Sequence, residues 1–505
     1  IIENAFEVFQ FYIILVNGVD GEEAGVDIQD KAERDKNYKL LLEEAIRRGE
    51  EEVFKSKAEE INRKFNPYSA PYLVPNKHGK LVVNTSLLAE YIRNNSHYYI
   101  VKKQGSETFF IYWYEEGYYK HMSAGEVKAK IKEYIPLEIR RPTVWEDTYK
   151  DLVSTNNFIS YDQLNTYEHL INFKNGILDT QTWQLIKHSP QYNHTYQIQY
   201  NYNEKAEEPK IWKQFVATLV SGDTDSAYSL QEWMGLNISN YNANLCKKSV
   251  ALCGAVGNTG KSKLLKMLAQ IIGIHNICSK SIQDLSARFG AGALYGKKCV
   301  LIDDQKAANI EDGSTFKAIT GDGIIEAELK GKDPFSFAFK GGITFTCNEM
   351  PYIKDDKGSH MFERFLIIPC NNVIPKEKRD NRLFEKMEKE IEGIILWALK
   401  GLKRLMNNSF VLTESERSKE ANKQYRVSND SLFRFINEYC MITGDKRDKI
   451  AKPEFEERYT SFCIANGING LDKKNIVDRA EKNGVICNKY NGYYHYRGIR
   501  YKDGF

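Results

Sequence analysis

Between Ser249 and Gly273 an apolar run, Ser249-Val250-Ala251-Leu252-Cys253, meets a glycine-rich turn ending in Lys261-Ser262, and then a segment of helical periodicity. Backbone N–H groups of such a turn, backed by the positive end of a helix dipole, cradle a polyphosphate. Lys261 is placed to reach the β- and γ-phosphates and the Ser262 hydroxyl to hold Mg²⁺, because charge developing in phosphoryl transfer needs a fixed cation and a fixed metal. The nucleotide-binding set is therefore Gly257, Asn258, Thr259, Gly260, Lys261 and Ser262. The strict P-loop pattern wants a glycine at 255, where this chain has Ala255 just after Gly254. A bare Gly-Lys-Ser is often only a surface turn before a helix; the strand before it and the helix after it supply the context the motif needs.

Three further stretches carry matching chemistry. Lys298-Cys299-Val300-Leu301-Ile302-Asp303-Asp304 reads as an apolar strand ending in two carboxylates. Asp303 suits the metal or its water, and Asp304 suits orienting and deprotonating an attacking water. Ile343-Thr344-Phe345-Thr346-Cys347-Asn348 is a second such strand, with an amide at its tip to hold the water or sense the γ-phosphate. In Phe362-Glu363-Arg364-Phe365 one arginine precedes a third strand. There it can point across a subunit boundary at a neighbour's nucleotide. Each of the three has an ordinary structural reading when taken alone.

Composition bounds the rest. A chain of 505 residues is too long for one core and predicts two to four domains. With 71 Lys+Arg against 68 Asp+Glu, the charge is near balance, so any nucleic-acid surface must be a local patch. Nine cysteines are scattered singly, with no Cys-x-x-Cys pair, which favours reduced core thiols over disulfides or zinc. No apolar run is long enough to span a bilayer and no signal-peptide layout is present, so the expectation is a soluble protein in a cytoplasm, without a membrane partner. The start at Ile1-Ile2 reads as that of a fragment.

In chain order, residues 1–66 hold an apolar run, an acidic turn at Asp20-Gly21 and a charged helix-forming stretch, with no role assigned. Residues 67–165 crowd aromatics around turns at Gly105 and Gly117 and read as a small α/β module with a helix over Ser123–Tyr134. Residues 166–245 predict two short strands around Asn175-Gly176, then a helical collar in which Trp212, Phe215, Leu219, Leu230, Trp233 and Met234 recur at helical spacing. Residues 246–405 form the nucleotide-binding domain, closed by a helix through Ile391–Leu402. Residues 425–505 predict three short helices and an aromatic two-stranded ribbon, a winged-helix plan.

The order of P-loop, Asp303-Asp304, Asn348 and Arg364 resembles superfamily 3 helicases of the AAA+ class, and more narrowly the phage, plasmid and poxvirus primase-helicase group. Trp233-Met234-Gly235, Arg288-Phe289-Gly290, Phe316–Asp322 and Thr346–Pro351 add to the likeness, which covers roughly residues 165 to 505. Many relatives carry two arginines where this chain has Glu363-Arg364, so Arg364 alone inherits the finger role. The resemblance implies an α/β AAA+ core flanked by collar and winged helix, ATP and Mg²⁺ as cofactors, and a homo-oligomeric ring, expected as a hexamer. It implies a DNA helicase of a phage or mobile element in a bacterial host, moving 3′ to 5′ on single-stranded or forked DNA, with primase or host replication proteins as partners. It places a DNA-gripping hairpin at Glu326–Pro334, with Lys330 and Lys332 beside Gly331, and sets Lys473, Lys474 and Arg479 of the winged helix against duplex DNA or protein. A self-loading origin-binding initiator, a non-motor P-loop DNA-binding scaffold and a small-molecule kinase are the alternatives; the kinase lacks an acceptor site.

Overall fold

The computed structural model describes residues 70–502 except 103–105, 156–157, 308–309, 311–312, 322, 352–360 and 467–469, together with the helical residues Glu43 and Arg47. The features read at residues 1–66, the turn at Gly105 and Asp322 lie outside the described residues. Two compact units emerge: residues 70–100 with 122–158, and residues 101–121 with 159–502. Of the aromatic hairpin assigned by sequence to the 67–165 module, Tyr98–Ile100 falls in the first unit and the strand Phe109–Glu115 in the second.

In the first unit a short hairpin, Leu73–Pro75 with Leu81–Val83, precedes three helices, Thr85–Asn95, Ala124–Glu133 and Pro142–Val153. Each start has a local cause. Asn84 accepts the N–H groups of Ser86 and Leu87, Ser123 and Glu126 form a capping box, and Pro142 opens the third helix, where its missing N–H is not needed. Leu88, Ile92, Val127, Ile131 and Leu152 are buried.

The second unit is built on a five-stranded, all-parallel sheet in the order Ile277–Cys278, Cys299–Ile302, Ile343–Cys347, Ser249–Cys253, Phe365–Pro369. Side chains alternate across it. Val250, Leu252, Leu301, Leu366 and Ile368 enter one core, and Ala251, Val300, Ile302, Phe345 and Ile367 enter the other. The first core is completed by the helices Lys210–Leu219, Thr224–Ile238, Lys261–Ile272 and Ile391–Asn407. Ahead of the collar stand three strands, Leu170–Phe173, Gly176–Asp179 and Gln184–Ile186, one more than the sequence pattern predicts.

The collar is keyed to the sheet by one hydrogen bond. Trp233 Nε1 donates to Thr344 Oγ1 at 2.7 Å, both groups buried. Helices Thr224–Ile238 and Ile391–Asn407 approach so closely that a Cβ on Gly235 would stand 2.3 Å from the Ala398 carbonyl, and one on Gly401 2.3 Å from that of Gln231. Residues 431–502 form a separate small core around Phe435, Phe455, Tyr459 and Tyr496, with helices Ser431–Tyr439, Lys452–Ala465 and Lys473–Lys482 and a three-stranded antiparallel sheet, while Tyr425 just before it is buried in the core of the parallel sheet.

Because the neighbour at Gly235 is backbone, Gly235→Ala must push two helices apart. It is expected to cost about 1–3 kcal/mol, seen as faster hydrogen exchange in 224–238 and 391–407 while amides of the C-terminal small core are unchanged.

Candidate functional site

All the catalytic candidates but Arg364 stand at one end of the parallel sheet, the carboxyl ends of its strands, where ligands of open α/β sheets bind. The loop after Ser249–Cys253 turns through Asn258 at φ +60° and Gly260 at φ +102° before the helix begins at Lys261. Sterics explain where its glycines fall. A Cβ on Gly254 would lie 2.3 Å from the Cys370 carbonyl oxygen, so the close approach needs its glycine at 254, one place before the strict motif. A Cβ on Gly260 would meet the Phe215 ring at 2.9 Å. Residues 255–258 are exposed, and the helix has no side-chain cap, which leaves its first N–H groups directed at whatever the loop encloses.

Lys261 is buried, and its ammonium donates to the Gly254 carbonyl at 2.7 Å, with the Val256 carbonyl at 3.4 Å and Asn348 Oδ1 at 3.5 Å. The loop thus curls around the lysine, and Asn348 from the next strand closes on it. Ser262 Oγ donates to Asp303 Oδ1 at 2.8 Å, which joins the two residues expected to hold a metal.

Thr346 organises this end of the sheet, and sequence reasoning passed over it. Its hydroxyl donates to Asp303 Oδ1 at 2.8 Å and accepts the Asp304 N–H, also at 2.8 Å. That bond holds Asp304 at φ +58°, a left-handed backbone that Asp tolerates better than most residues. The signal was present: in Ile343-Thr344-Phe345-Thr346-Cys347 the apolar residues share one face and the threonines the other, so Thr346 had to face the same side as the loop. Gln305 is a second omission. Its N–H donates to the Thr346 carbonyl and its Oε1 accepts the Ile282 N–H, which anchors the segment after the carboxylates.

Arg364 lies at the opposite end. It precedes Phe365, which pairs with Ser249, whereas Pro369 pairs with Cys253 beside the loop. At about 3.3 Å per residue the strand sets it roughly 15 Å from its own loop. Arg364 Nη1 donates to Thr320 Oγ1 at 3.0 Å, and burial holds the guanidinium below its usual range. Gly321 leaves it room: a Cβ there would stand 3.2 Å from Nη1.

Lys330 and Lys332 are exposed on a hairpin of Ile324–Ala327 and Phe335–Ala338, with Gly331 at φ +73° between them. The hairpin's inner face, Ile325, Ala327, Phe335 and Phe337, packs on Tyr295 and Phe110, so a rigid aromatic base carries a solvated tip. Against that base Arg288 makes a two-pronged contact with Glu328, and Phe289 is presented outward at φ +63°, a conformation rare for a bulky side chain. In the C-terminal core Lys473 and Lys474 are exposed as expected, but Arg479 is not available to DNA. Its Nε lies 3.1 Å from the buried Asp430 carboxylate and its side chain is 14% exposed, so it is withdrawn from the DNA-contact set as an internal ion pair.

Cys253 and Cys347 are register partners on adjacent strands beneath Lys261. The neighbouring Cys347 thiol, helped by Lys261, lowers the Cys253 thiol below the ordinary range, while the same pairing and burial raise Cys347.

Residues 86–221 match a family model described as D5 N terminal like, and residues 252–364 match one described as a family of unknown function, DUF5906. The second match begins in the loop strand and ends at Arg364. Among solved structures, the A form apo structure of the NrS-1 C terminal region is similar at 13% identity, over 82% of this chain and 99% of that one, with a TM-score of 0.49. A second apo structure of the same region is similar at 14% identity, over 82% and 98%, with a TM-score of 0.45. Among the described residues no helix is long and apolar enough to cross a membrane.

Thr346→Val keeps the shape and deletes the hydroxyl, which strands the Asp304 N–H. A stability loss of about 1–3 kcal/mol is expected, with Thr346→Ser restoring most of it in the same denaturation series. Cys253 should be alkylated by iodoacetamide about tenfold faster than the buried thiols at neutral pH, which burial holds above the ordinary range. Equal labelling in peptide maps at pH 7 would show that the pair is not polarised.

Proposed function

We propose that this chain is an ATP-hydrolysing, ring-forming DNA helicase acting in replication of a phage or mobile element. The observation that carries the reading is the division of one sheet: Lys261, Ser262, Asp303, Asp304 and Asn348 gather at its carboxyl end, and Arg364 stands a strand's length away at the other. An arginine so placed serves a triphosphate held by the next copy of the chain. The D5-like match over residues 86–221 supports a replication protein of the primase-helicase kind.

In this reading the loop is a P-loop of an AAA+ core. Its N–H groups and Lys261 bind the ATP phosphates, and Ser262 with Asp303 would hold Mg²⁺. Among the described residues no group of three or more His, Cys, Asp or Glu gathers elsewhere to hold a metal, and one hydroxyl with one carboxylate fits an ion that takes its remaining ligands from phosphate and water. Bound Mg²⁺ supplies charge neutralisation on the transferring phosphoryl group. Asp304, fixed by Thr346, takes the proton of the attacking water, and Asn348 orients that water. Arg364 from the adjacent copy stabilises the transition-state charge. Lys330 and Lys332 hold single-stranded DNA by its phosphates, independently of sequence. The C-terminal core acts as a winged helix.

Lys261→Ala and Arg364→Ala are each expected to abolish ATP turnover and unwinding. Mixing the two dead proteins should restore hydrolysis, because random assembly makes about a quarter of the interfaces intact, with Lys261 from one copy and Arg364 from the next. No recovery on mixing, or full turnover by a single copy lacking Arg364, would overturn the shared site. Unwinding that survives Lys261→Ala would instead favour a scaffold in which nucleotide only promotes assembly.

A further inference from the structure

The C-terminal sheet carries a surface that the sequence reading treated only as a ribbon of alternating aromatics. Ile486–Tyr490 and Tyr493–Arg497 are joined by a tight turn with Asn491 at φ +49° and Gly492 at φ +88°, and Lys449–Ala451 flanks the second strand. At the tip Tyr493 is 75% exposed and Tyr494 51% exposed. Buried Tyr496, opposite Cys487, anchors the base of the two strands in the core, so the exposed rings stand on a fixed support.

Cations stand over two of the ribbon's rings, Tyr490 and Tyr494, and one of them, Lys452, also pairs with Glu456 at 3.6 Å. Lys449 Nζ lies 3.6 Å and Arg497 Cζ 5.4 Å from the Tyr490 ring centre, while Lys489 and Lys452 stand 5.6 and 5.8 Å from that of Tyr494. Between Ile486 and Lys502 the chain holds no Asp or Glu. The third helix is different: Lys473 and Lys474 are interleaved with Asp472 and Asp478, and Arg479 is spent on Asp430.

We propose that this ribbon binds an unpaired nucleic-acid strand, with phosphates on Lys449, Lys489 and Arg497 and bases stacked on Tyr493 and Tyr494. The exposed cations Lys449 and Lys489, with Arg497 beside them, select a polyanion over an apolar protein partner. Open ring faces beside that charge select a strand whose bases have free π-faces, since in a duplex each base already stacks on its neighbours. Lys330 and Lys332 grip backbone alone; the ribbon adds stacking. The rings and charges carry this inference whether or not the chain is a motor.

The test uses the full chain with Tyr493→Ala/Tyr494→Ala and, as the conservative control, Tyr493→Phe/Tyr494→Phe. Binding of a fluorescent oligo-dT strand and of a hairpin duplex is measured by anisotropy at one salt concentration, with circular dichroism confirming the fold. A strand carrying 5-iododeoxyuridine is cross-linked in parallel. The expected result is a loss of about tenfold or more on oligo-dT for the alanine pair, near-normal binding for the phenylalanine pair, little change on duplex, and cross-links within residues 490–497. Unchanged oligo-dT affinity in a folded alanine variant, an equal loss on duplex and single strand, or cross-links confined to residues outside the ribbon would each overturn the proposal. ATP turnover without DNA should match the parent in both variants, so the outcome is separable from that of the interface-mixing experiment.

Discussion

The hydroxyl of Thr346 joins the two carboxylate positions of the site. It donates to Asp303 and accepts from the backbone of Asp304, and Asp303 in turn accepts from Ser262. The arrangement exists only because the strand of Thr346 lies between the strand that feeds the glycine-rich loop and the strand that ends in the carboxylates. Were those two strands adjacent, Thr346 could not stand between Asp303 and the loop. Each charge-assisted bond here is stronger than a neutral one, and leaving any member unpaired is costly, so the group holds together as a unit.

Polarity of the sheet does the rest. Parallel strands put every carboxyl end on one side, so Lys261, Asp303 and Asn348 meet without long loops. The same polarity sends a residue that precedes a strand to the far side. Arg364 is such a residue, held against Thr320 with Gly321 making space. Under the proposed reading one fold therefore offers half a site at each end, and a nucleotide is enclosed only where two copies meet.

Much of this was legible in the residues. The loop, both carboxylates, Asn348 and the paired strand–turn–strand around Gly331 follow from apolar runs punctuated by glycine and charge. What was not legible depends on contacts distant in sequence. The alternation of its strand sets which face Thr346 takes, but the carboxylate it acts through is 43 residues away, and no local pattern names that partner. Arg479 looked like a free cation on a basic helix until Asp430, from the start of another helix, was seen to claim it. The segment 109–121 clustered by composition with its chain neighbours, yet Phe110 stacks on Tyr295 and the carbonyls of Glu116 and Gly117 accept from Gln197 and Asn172, contacts distant in sequence that tie it to the second unit. Likewise the place of the first glycine, 254 rather than 255, follows from the Cys370 carbonyl across the sheet.

The hairpin with Lys330 and Lys332 occupies a telling position in the chain. It is the excursion between the strand that ends at Asp303 and the strand that ends at Asn348, so both of its roots lead to residues of the nucleotide end. Its base is fixed by Phe335 and Phe337 packed on Tyr295, and its tip is solvated. In the motor reading, a displacement of either strand end as phosphate is bound or lost is taken up as movement of the whole base, since close-packed aromatic rings shift together more readily than they deform. In the motor reading this is how a change of a few tenths of an ångström at Asp303 or Asn348 reaches the lysines. In that reading the hairpin needs no hinge of its own, because the two strands that flank it carry Asp303 and Asn348 at their ends.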